Sequence, residues 1–372
     1  MKRKLLVLAV AAALPVSALA QTSQVTIYGM LDLGVSTAKM FGNNPDMKNS
    51  IRVDDNMSRL GIRGSESLGG GLNAIFQIEN WISADGTNLN GGSRANALAG
   101  RDTFLGLQGG FGKVRLGRLS NYQNMEMETM ASWSGQLGLG IDTLGIITRF
   151  DTRFNNAIRY DAPAFVPGIE LNAMYSFDET KAGGDNRSVW SLGAGYTFDK
   201  FFAKAGFTQY QQQNGSANKD GNYWRIEGGY DSTLSIIGAY QESTQYGSAA
   251  TGGTNSVWMR STGNYGGNLG ASSVFFGDND KMKTQEAAIT ASYQFGNFVP
   301  RASFAIGFDA KVDGRKLDDS GYQQYILGAD YVLSKRSKLY LAGGYVKYDN
   351  EKFTDGRHNN EYQIQVGMMH WF

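Results

Sequence analysis

Apolar side chains occupy every second position in segments spread along nearly the whole chain. The first such segment places Val25, Ile27, Leu31, Leu33 and Val35 on one face. The final segment alternates in the same way, with Tyr362, Ile364, Val366 and Met368 opposite Glu361, Gln363 and Gln365. A period of two is typical of β-strands with one apolar and one polar face. Helical periodicity is absent from nearly the whole sequence, which predicts an all-β fold.

The connections between these segments alternate between short and long. The short ones fall at residues 68–71, 109–112, 163–168, 199–200, 231–233, 296–297 and 334–337. The long polar ones fall at residues 37–49, 84–99, 120–153, 179–187, 213–220, 247–283, 312–320 and 350–359. A soluble β-sandwich has turns of similar length at both ends, whereas a membrane barrel has short turns on one side only. The alternation of short and long connections therefore predicts a transmembrane antiparallel β-barrel of about 16 strands.

The first twenty residues are set apart from this pattern. Lys2, Arg3 and Lys4 precede an apolar stretch over residues 5–14, and Ala18 and Ala20 form a small-residue cleavage site. This arrangement predicts a cleavable signal peptide over residues 1–20, because the apolar stretch is too short for a membrane anchor. Residues 21–372 are then expected to form a single barrel domain.

Composition excludes several other classes of protein. The chain has no cysteine and only two histidines, so disulfide scaffolds and thiolate metal sites are excluded and no cofactor is expected. A formal net charge of +1 gives no reason to expect a nucleic-acid partner. A mean hydropathy of −0.34 argues against a bundle of membrane helices. Aromatic pairs near strand ends predict interfacial girdles: Tyr175 and Phe177, Tyr196 and Phe198, Tyr293 and Phe295, Tyr345 and Tyr348.

The third long connection, residues 120–153, is far longer than a hairpin requires. Loops of this length in compact proteins are usually functional or disordered. This one carries Trp133, Leu137, Ile141 and Ile147 among other apolar residues, so it can pack against another surface. We expect it to fold into the barrel lumen; the alternative is an outer loop that caps a neighbour.

Several motifs occur in order along the chain. They are Val25-Thr26-Ile27-Tyr28-Gly29, Ser58-Arg59-Leu60-Gly61-Ile62-Arg63-Gly64-Ser65-Glu66, Phe104-Leu105-Gly106-Leu107, Gly117-Arg118, Arg159-Tyr160-Asp161-Ala162-Pro163 and His370-Trp371-Phe372. In these motifs the chain resembles the general diffusion porins of Neisseria and related betaproteobacteria.

The resemblance implies a homotrimer of sixteen-stranded barrels in the outer membrane of a Gram-negative bacterium. Each barrel would hold a water-filled pore narrowed by an inward-folded third loop. Outer-membrane lipid and lipopolysaccharide would surround the trimer. Phe372 resembles the family's assembly signal, which implies the barrel-assembly machinery as a partner.

Candidate pore-lining residues follow from strand parity and from the resemblance. If Leu60 and Ile62 face lipid, Arg59 and Arg63 face the lumen. The resemblance places Arg59 and Arg118 in a basic cluster on the pore wall, although Arg118 needs a bulge near Gly117 to turn inward.

The remaining candidates lie on both sides of the expected constriction. Arg159, Arg101 and Arg115 are further basic candidates on the wall. Glu126, Glu128 and Asp142 on the third connection would supply the acidic side.

The expected function is passive diffusion of ions and small hydrophilic solutes, with a weak anion preference. One alternative is a channel that prefers phosphate or dicarboxylates. Another is a closed-lumen adhesin or structural barrel, which the polar inward positions disfavour. No nucleophile or acid–base constellation suggests an enzyme.

Overall fold

The computed structural model describes residues 23–39, 48–86, 98–131, 133, 147, 151–178, 188–211, 219–246, 255–258, 273–276, 280–350 and 359–372. The predicted signal peptide, residues 1–20, and the candidate Asp142 lie outside the described residues. None of the helices in the described ranges is long and apolar enough to cross a membrane.

Sixteen antiparallel strands form one closed sheet, as the sequence predicted. The strands are β1 (Ser23–Lys39), β2 (two runs, Lys48–Asp55 and Arg59–Gly69), β3 (Leu72–Trp81), β4 (Thr103–Gly109), β5 (Gly112–Ser120), β6 (Arg153–Asp161), β7 (Ile169–Ser176), β8 (Val189–Phe198), β9 (Phe201–Tyr210), β10 (Gly221–Asp231), β11 (Leu234–Tyr246), β12 (Lys281–Tyr293), β13 (Phe298–Gly307), β14 (Tyr322–Ser334), β15 (Ser337–Tyr348) and β16 (Asn360–Trp371). The two runs of β2 count as one strand because both pair with β1. Outside the barrel wall, Asn255–Trp258 pairs with Ser273–Phe276 between β11 and β12, and Lys311–Val312 pairs with Arg315–Lys316 between β13 and β14.

The barrel closes where β1 meets β16. Leu31 lies opposite His370 and the pairing continues to Lys39 and Tyr362. At the short-turn end of this ladder, Gly29 and Phe372 exchange two main-chain hydrogen bonds of 3.1 Å. Closure matters because an open sheet edge in hydrocarbon would leave main-chain N–H and C=O groups without partners.

The two faces of the sheet differ in chemistry. On β1, Val25, Ile27 and Val35 are exposed on the outer face, whereas Asp32 and Ser36 are buried on the other. On β16, Ile364 and Val366 are exposed, and Glu361, Gln363 and Gln365 are buried. The predicted alternation of an apolar outer face and a polar inner face is confirmed.

Exposed aromatic rings lie near both ends of the barrel. Near the long connections are Phe177, Phe308, Tyr325 and Tyr345. A larger set lies at the short-turn end, on strand ends and in the turns. It includes Phe111, Phe165, Tyr196, Phe198, Phe201, Tyr293, Phe295, Phe298 and Tyr331. The Tyr293 and Phe295 rings lie 4.3 Å apart. Tyr348 differs from the prediction: it lies on the inner face, 6.1 Å from Tyr322, because it is three positions from the outward Tyr345.

Deleting Phe372 should reduce the amount of folded protein in the outer membrane several-fold while leaving secretion unchanged. The deletion removes both hydrogen bonds to Gly29 and the ring that lies over it, so the seam between β1 and β16 is left incomplete. The measurement is the heat-modifiable band in outer-membrane fractions. Phe295→Ala, which removes an exposed ring far from the seam, is the control. Normal yield from the deletion would contradict this role of the residue.

Candidate functional site

The described parts of the 120–153 connection pack on the polar face of the sheet. Two short helices lie there, α1 (Tyr122–Met125) and α2 (Glu128–Ala131). The Tyr122 ring lies over Gly193 on β8, and the Gln123 side chain lies over Gly206 on β9. A Cβ at Gly193 would lie 2.1 Å from the Tyr122 ring, so only glycine leaves room for it. Helix α1 therefore packs against the wall at these two glycines.

Further along, the connection packs on an apolar patch of the same face. Trp133 donates from Nε1 to Ser303 Oγ on β13 at 2.7 Å. Trp133 and Ile147 are buried in a cluster with inner-face side chains from five strands and the β13–β14 connection: Ala38, Met282, Ala305, Ala310, Tyr322, Ile326, Ala342, Val346 and Tyr348. The apolar content of the connection predicted packing of this kind, since burying such side chains offsets the cost of ordering the loop.

Asp102 holds the two ends of this connection together. Its carboxylate accepts hydrogen bonds from the Ser120 N–H and hydroxyl, each at 2.7 Å, and from Arg153 Nε at 2.7 Å. Burial alone would raise the pKa of Asp102, but Arg153 and the Ser120 donors outweigh burial, and the pKa is lowered. The carboxylate thus stays charged between the last residue of β5 and the first of β6.

The structure brings together three of the predicted residues, Arg159, Glu126 and Glu128. Arg159 forms ion pairs with Glu126 and, at 2.8 Å, with Asp161. Glu128 pairs with Lys204 on β9 at 2.8 Å. Burial raises the pKa of Glu126, with Arg159 opposing the shift. Glu126 and Glu128 therefore each lie against a cation of the adjacent wall.

Leu60 and Ile62 are exposed on the outer face, so Arg59 and Arg63 lie on the inner face of β2, in agreement with strand parity. They belong to a basic strip apart from Arg159. The Arg59 guanidinium lies 4.6 Å from the centre of the Trp371 ring, and Arg63 lies 4.9 Å from that of Tyr28. No described carboxylate lies within the 4.0 Å salt-bridge distance of Arg59. A guanidinium stacked on an aromatic ring keeps its charge and loses little conformational freedom.

Arg101 and Arg153 complete this arginine strip. Both guanidiniums lie over the Trp81 ring, at 4.0 and 5.8 Å. Arg101 forms an ion pair with Glu79, and Arg153 pairs with Asp102 at 2.7 Å. We missed Arg153 in the sequence because it stands at the end of a long connection, where alternation gives no face. A basic residue directly before a strand was the signal available.

Arg118 lies apart from the strip. The register between β5 and β6 shifts between Gly117 and Leu119, but the extra residue lies on β6, between Phe154 and Ala157. Gly117 itself has a φ of 150°. Against β4, however, Arg118 lies opposite Thr103, on the face that exposes Leu116. Its guanidinium donates to the Gly100 carbonyl at 3.2 Å and to Asn155 Oδ1. The bulge thus takes up an extra residue without joining Arg118 to Arg59.

A closed sixteen-stranded barrel with a polar inner face matches a known family. The family model described as Gram-negative porin covers residues 7–372. The chain belongs to the Gram-negative porin family. This porin is thus an outer-membrane channel protein of a Gram-negative bacterium.

Individual relatives agree with this membership. This porin is 31% identical over 381 residues to the major outer membrane protein P.IB of Neisseria sicca, covering 99% of this chain and 98% of that protein. Its fold is similar to that of the anion-selective porin from Comamonas acidovorans, with a TM-score of 0.68, 23% identity, and coverage of 94% and 100% of the two chains. It is also similar to OmpT of Vibrio cholerae in its trimer form, with a TM-score of 0.63, 14% identity, and coverage of 94% and 99%.

Asp102→Ala should lower the free energy of unfolding by about 3 kcal/mol or more, because it leaves Arg153 buried without its ion-pair partner. The measurement is the urea midpoint of the porin refolded in vesicles. Asp231→Ala is the control, since that carboxylate lies exposed beside a short turn. Equal midpoints for the two variants would show that Asp102 does not stabilise the ends of the connection.

Proposed function

We propose that this porin is a passive diffusion channel for ions and small hydrophilic solutes with a weak preference for anions. The observation that carries the preference is the arginine strip, and above all Arg59, whose guanidinium faces an aromatic ring instead of a carboxylate. Glu126 and Glu128 are each paired with a wall cation, which offsets part of their negative charge. The fold similarity to an anion-selective porin agrees with this choice of sign.

We further propose that the 120–153 connection forms the constriction of the channel. Its contacts with β8, β9, β10 and β13 on the polar face support this placement. Arg59 and Arg63 would line one side of the constriction. The other side would carry Arg159, Glu126 and Glu128. Asp142 remains a candidate on this acidic side. Charges that face one another across a narrow gap with low-dielectric walls produce a transverse field.

A preference for phosphate or dicarboxylates remains the alternative within the same class, because guanidinium groups pair well with both. A catalytic activity is not part of the proposal, since the relatives are porins.

For assembly, we propose a homotrimer surrounded by outer-membrane lipid and lipopolysaccharide and inserted by the barrel-assembly machinery. The exposed apolar side chains of β1, Val25, Ile27 and Leu31, are suited to contact with a second barrel. The trimer form of the similar OmpT supports the oligomeric state.

Arg59→Glu should lower the anion-to-cation permeability ratio several-fold, because it places a negative charge on the proposed pore wall. The measurement is the zero-current potential under a salt gradient in planar bilayers. The shift should be smaller at 1 M than at 0.1 M salt, since the Debye length falls from about 10 Å to about 3 Å.

Arg118→Glu is the matched control, with the same charge change at a residue that lies apart from the strip. Its effect should be much smaller. An unchanged potential for Arg59→Glu at low salt would mean that Arg59 does not reach the ion path. Equal shifts for the two variants would mean that total charge, and not the strip, sets selectivity.

Val25→Lys with Ile27→Lys should convert the trimer to monomers, because two cations would be buried in the proposed contact. Leu234→Lys with Ile236→Lys places the same charges on equally outward positions near the short-turn end of β11. Light scattering of the purified porin gives the mass of each variant. Trimers from the β1 variant, or monomers from both variants, would count against a contact through β1.

A further inference from the structure

Two successive inner-face positions of β10 carry opposite charges, and both bind the 120–153 connection. Glu227 accepts hydrogen bonds from the main-chain N–H groups of Glu128 and Thr129, the latter at 3.0 Å, and from the Thr129 hydroxyl. Arg225 donates to the carbonyls of Gln123 at 2.7 Å and Ile147 at 3.0 Å. We call Arg225 and Glu227 the β10 dock. Nearly all of its contacts with the connection are to main-chain atoms or to one carboxylate.

Arg225 holds both arms of the connection at once. Gln123 belongs to the outgoing arm, whereas Ile147 and Asp151 belong to the returning arm. Asp151 receives two hydrogen bonds from the guanidinium, of 3.0 and 2.9 Å. The side chains of Arg225 and Asp151 are both 0% exposed. An ion pair buried this completely is costly to break, because either charge alone would be left without water or a counter-charge.

The dock acts on the connection without adding an exposed charge to the channel. Arg225 is neutralised by Asp151, and the carboxylate of Glu227 is covered by the first turn of α2. A change at the dock should therefore move the connection without altering the charge of the ion path. A change at Arg59 should have the opposite effect: it alters the charge of the ion path and leaves the connection in place.

We propose that Arg225 and Glu227 are positioning residues that hold both arms of the 120–153 connection against β10 and thereby set the open width and steadiness of the channel. The claim that the two residues hold the connection in place concerns its position alone. The claim that they set the width of the channel rests on the proposed function, in which this connection is the constriction. Two readouts keep these halves apart.

The main variant is Arg225→Gln with Asp151→Asn, which removes the buried pair and leaves the net charge unchanged. Glu227→Gln is a milder second variant that keeps one acceptor for α2. Glu242→Gln with Lys283→Gln is the control, because it removes an ion pair of 2.8 Å between β11 and β12. Heat-modifiability on gels confirms that each variant has a folded barrel.

The first readout is hydrogen–deuterium exchange of peptides spanning residues 121–131 in the full-length porin. The main variant should exchange at least tenfold faster there than the wild-type protein, and the control should not. Unchanged exchange in both dock variants would overturn the proposal, since the connection would then hold its place without them.

The second readout is single-channel current. The main variant should show larger open-state current fluctuations and altered conductance, with an unchanged zero-current potential. Faster exchange with an unchanged current would support the positioning role but refute the connection as the constriction. A shifted potential would overturn the claim that the dock is electrically silent.

A disulfide offers a rescue test, because the chain contains no cysteine of its own. A Cβ at Gly206 would lie 2.9 Å from Gln123 Cγ, so Gln123→Cys with Gly206→Cys places two thiols close together. In the main variant, oxidation with copper phenanthroline should restore slow exchange and steady current, and dithiothreitol should reverse this. Fluctuations that persist in the fully cross-linked protein would show that they arise elsewhere in the barrel.

Discussion

The pairing of main-chain hydrogen bonds in hydrocarbon is the constraint on which the rest of this structure depends. In lipid an unpaired N–H or C=O group costs several kcal/mol, so each strand must have a neighbour on both sides. The sheet therefore closes between β1 and β16, and Gly29 and Phe372 complete the ladder at its lower end. Once the sheet is closed, the pleat sends alternate side chains to lipid and to the interior. The faces of all sixteen strands follow from that single requirement.

Inside the barrel the organising principle is local neutralisation of charge. Glu126, Glu128 and Asp102 each lie against a wall cation, and Arg225 lies against Asp151. Such pairing allows charged side chains to be buried at all, since an isolated ion would lose its hydration without compensation. Arg59 and Arg63 instead lie over aromatic rings, which hold the guanidinium groups in place and leave their charge uncompensated. Under the proposed function, these two charges would contribute most to selectivity.

The strands were predictable from the sequence because a period of two is fixed by backbone geometry and needs no knowledge of neighbours. The inward direction of Arg59 and Arg63 followed from the outward direction of Leu60 and Ile62. Strict alternation also puts Arg118 on the face of Leu116, where it lies; the inward turn implied by the resemblance required a bulge, which depends on the register of two adjacent strands. The partnership of Arg225 with Asp151 was beyond prediction, since 74 positions separate them and only the closed barrel brings them together.

Four of the hydrogen bonds made by the β10 dock go to main-chain N–H or C=O groups, at Gln123, Glu128, Thr129 and Ile147. The dock therefore contacts Glu128, Gln123 and Ile147 through their main-chain atoms and not through their side chains. If this segment forms the constriction, as proposed, substitutions along it would change the side chains that a solute contacts and would leave the main-chain hydrogen bonds to the dock in place. Under that proposal, permeability could change through these side chains, in evolution or by design, without any change to the barrel strands.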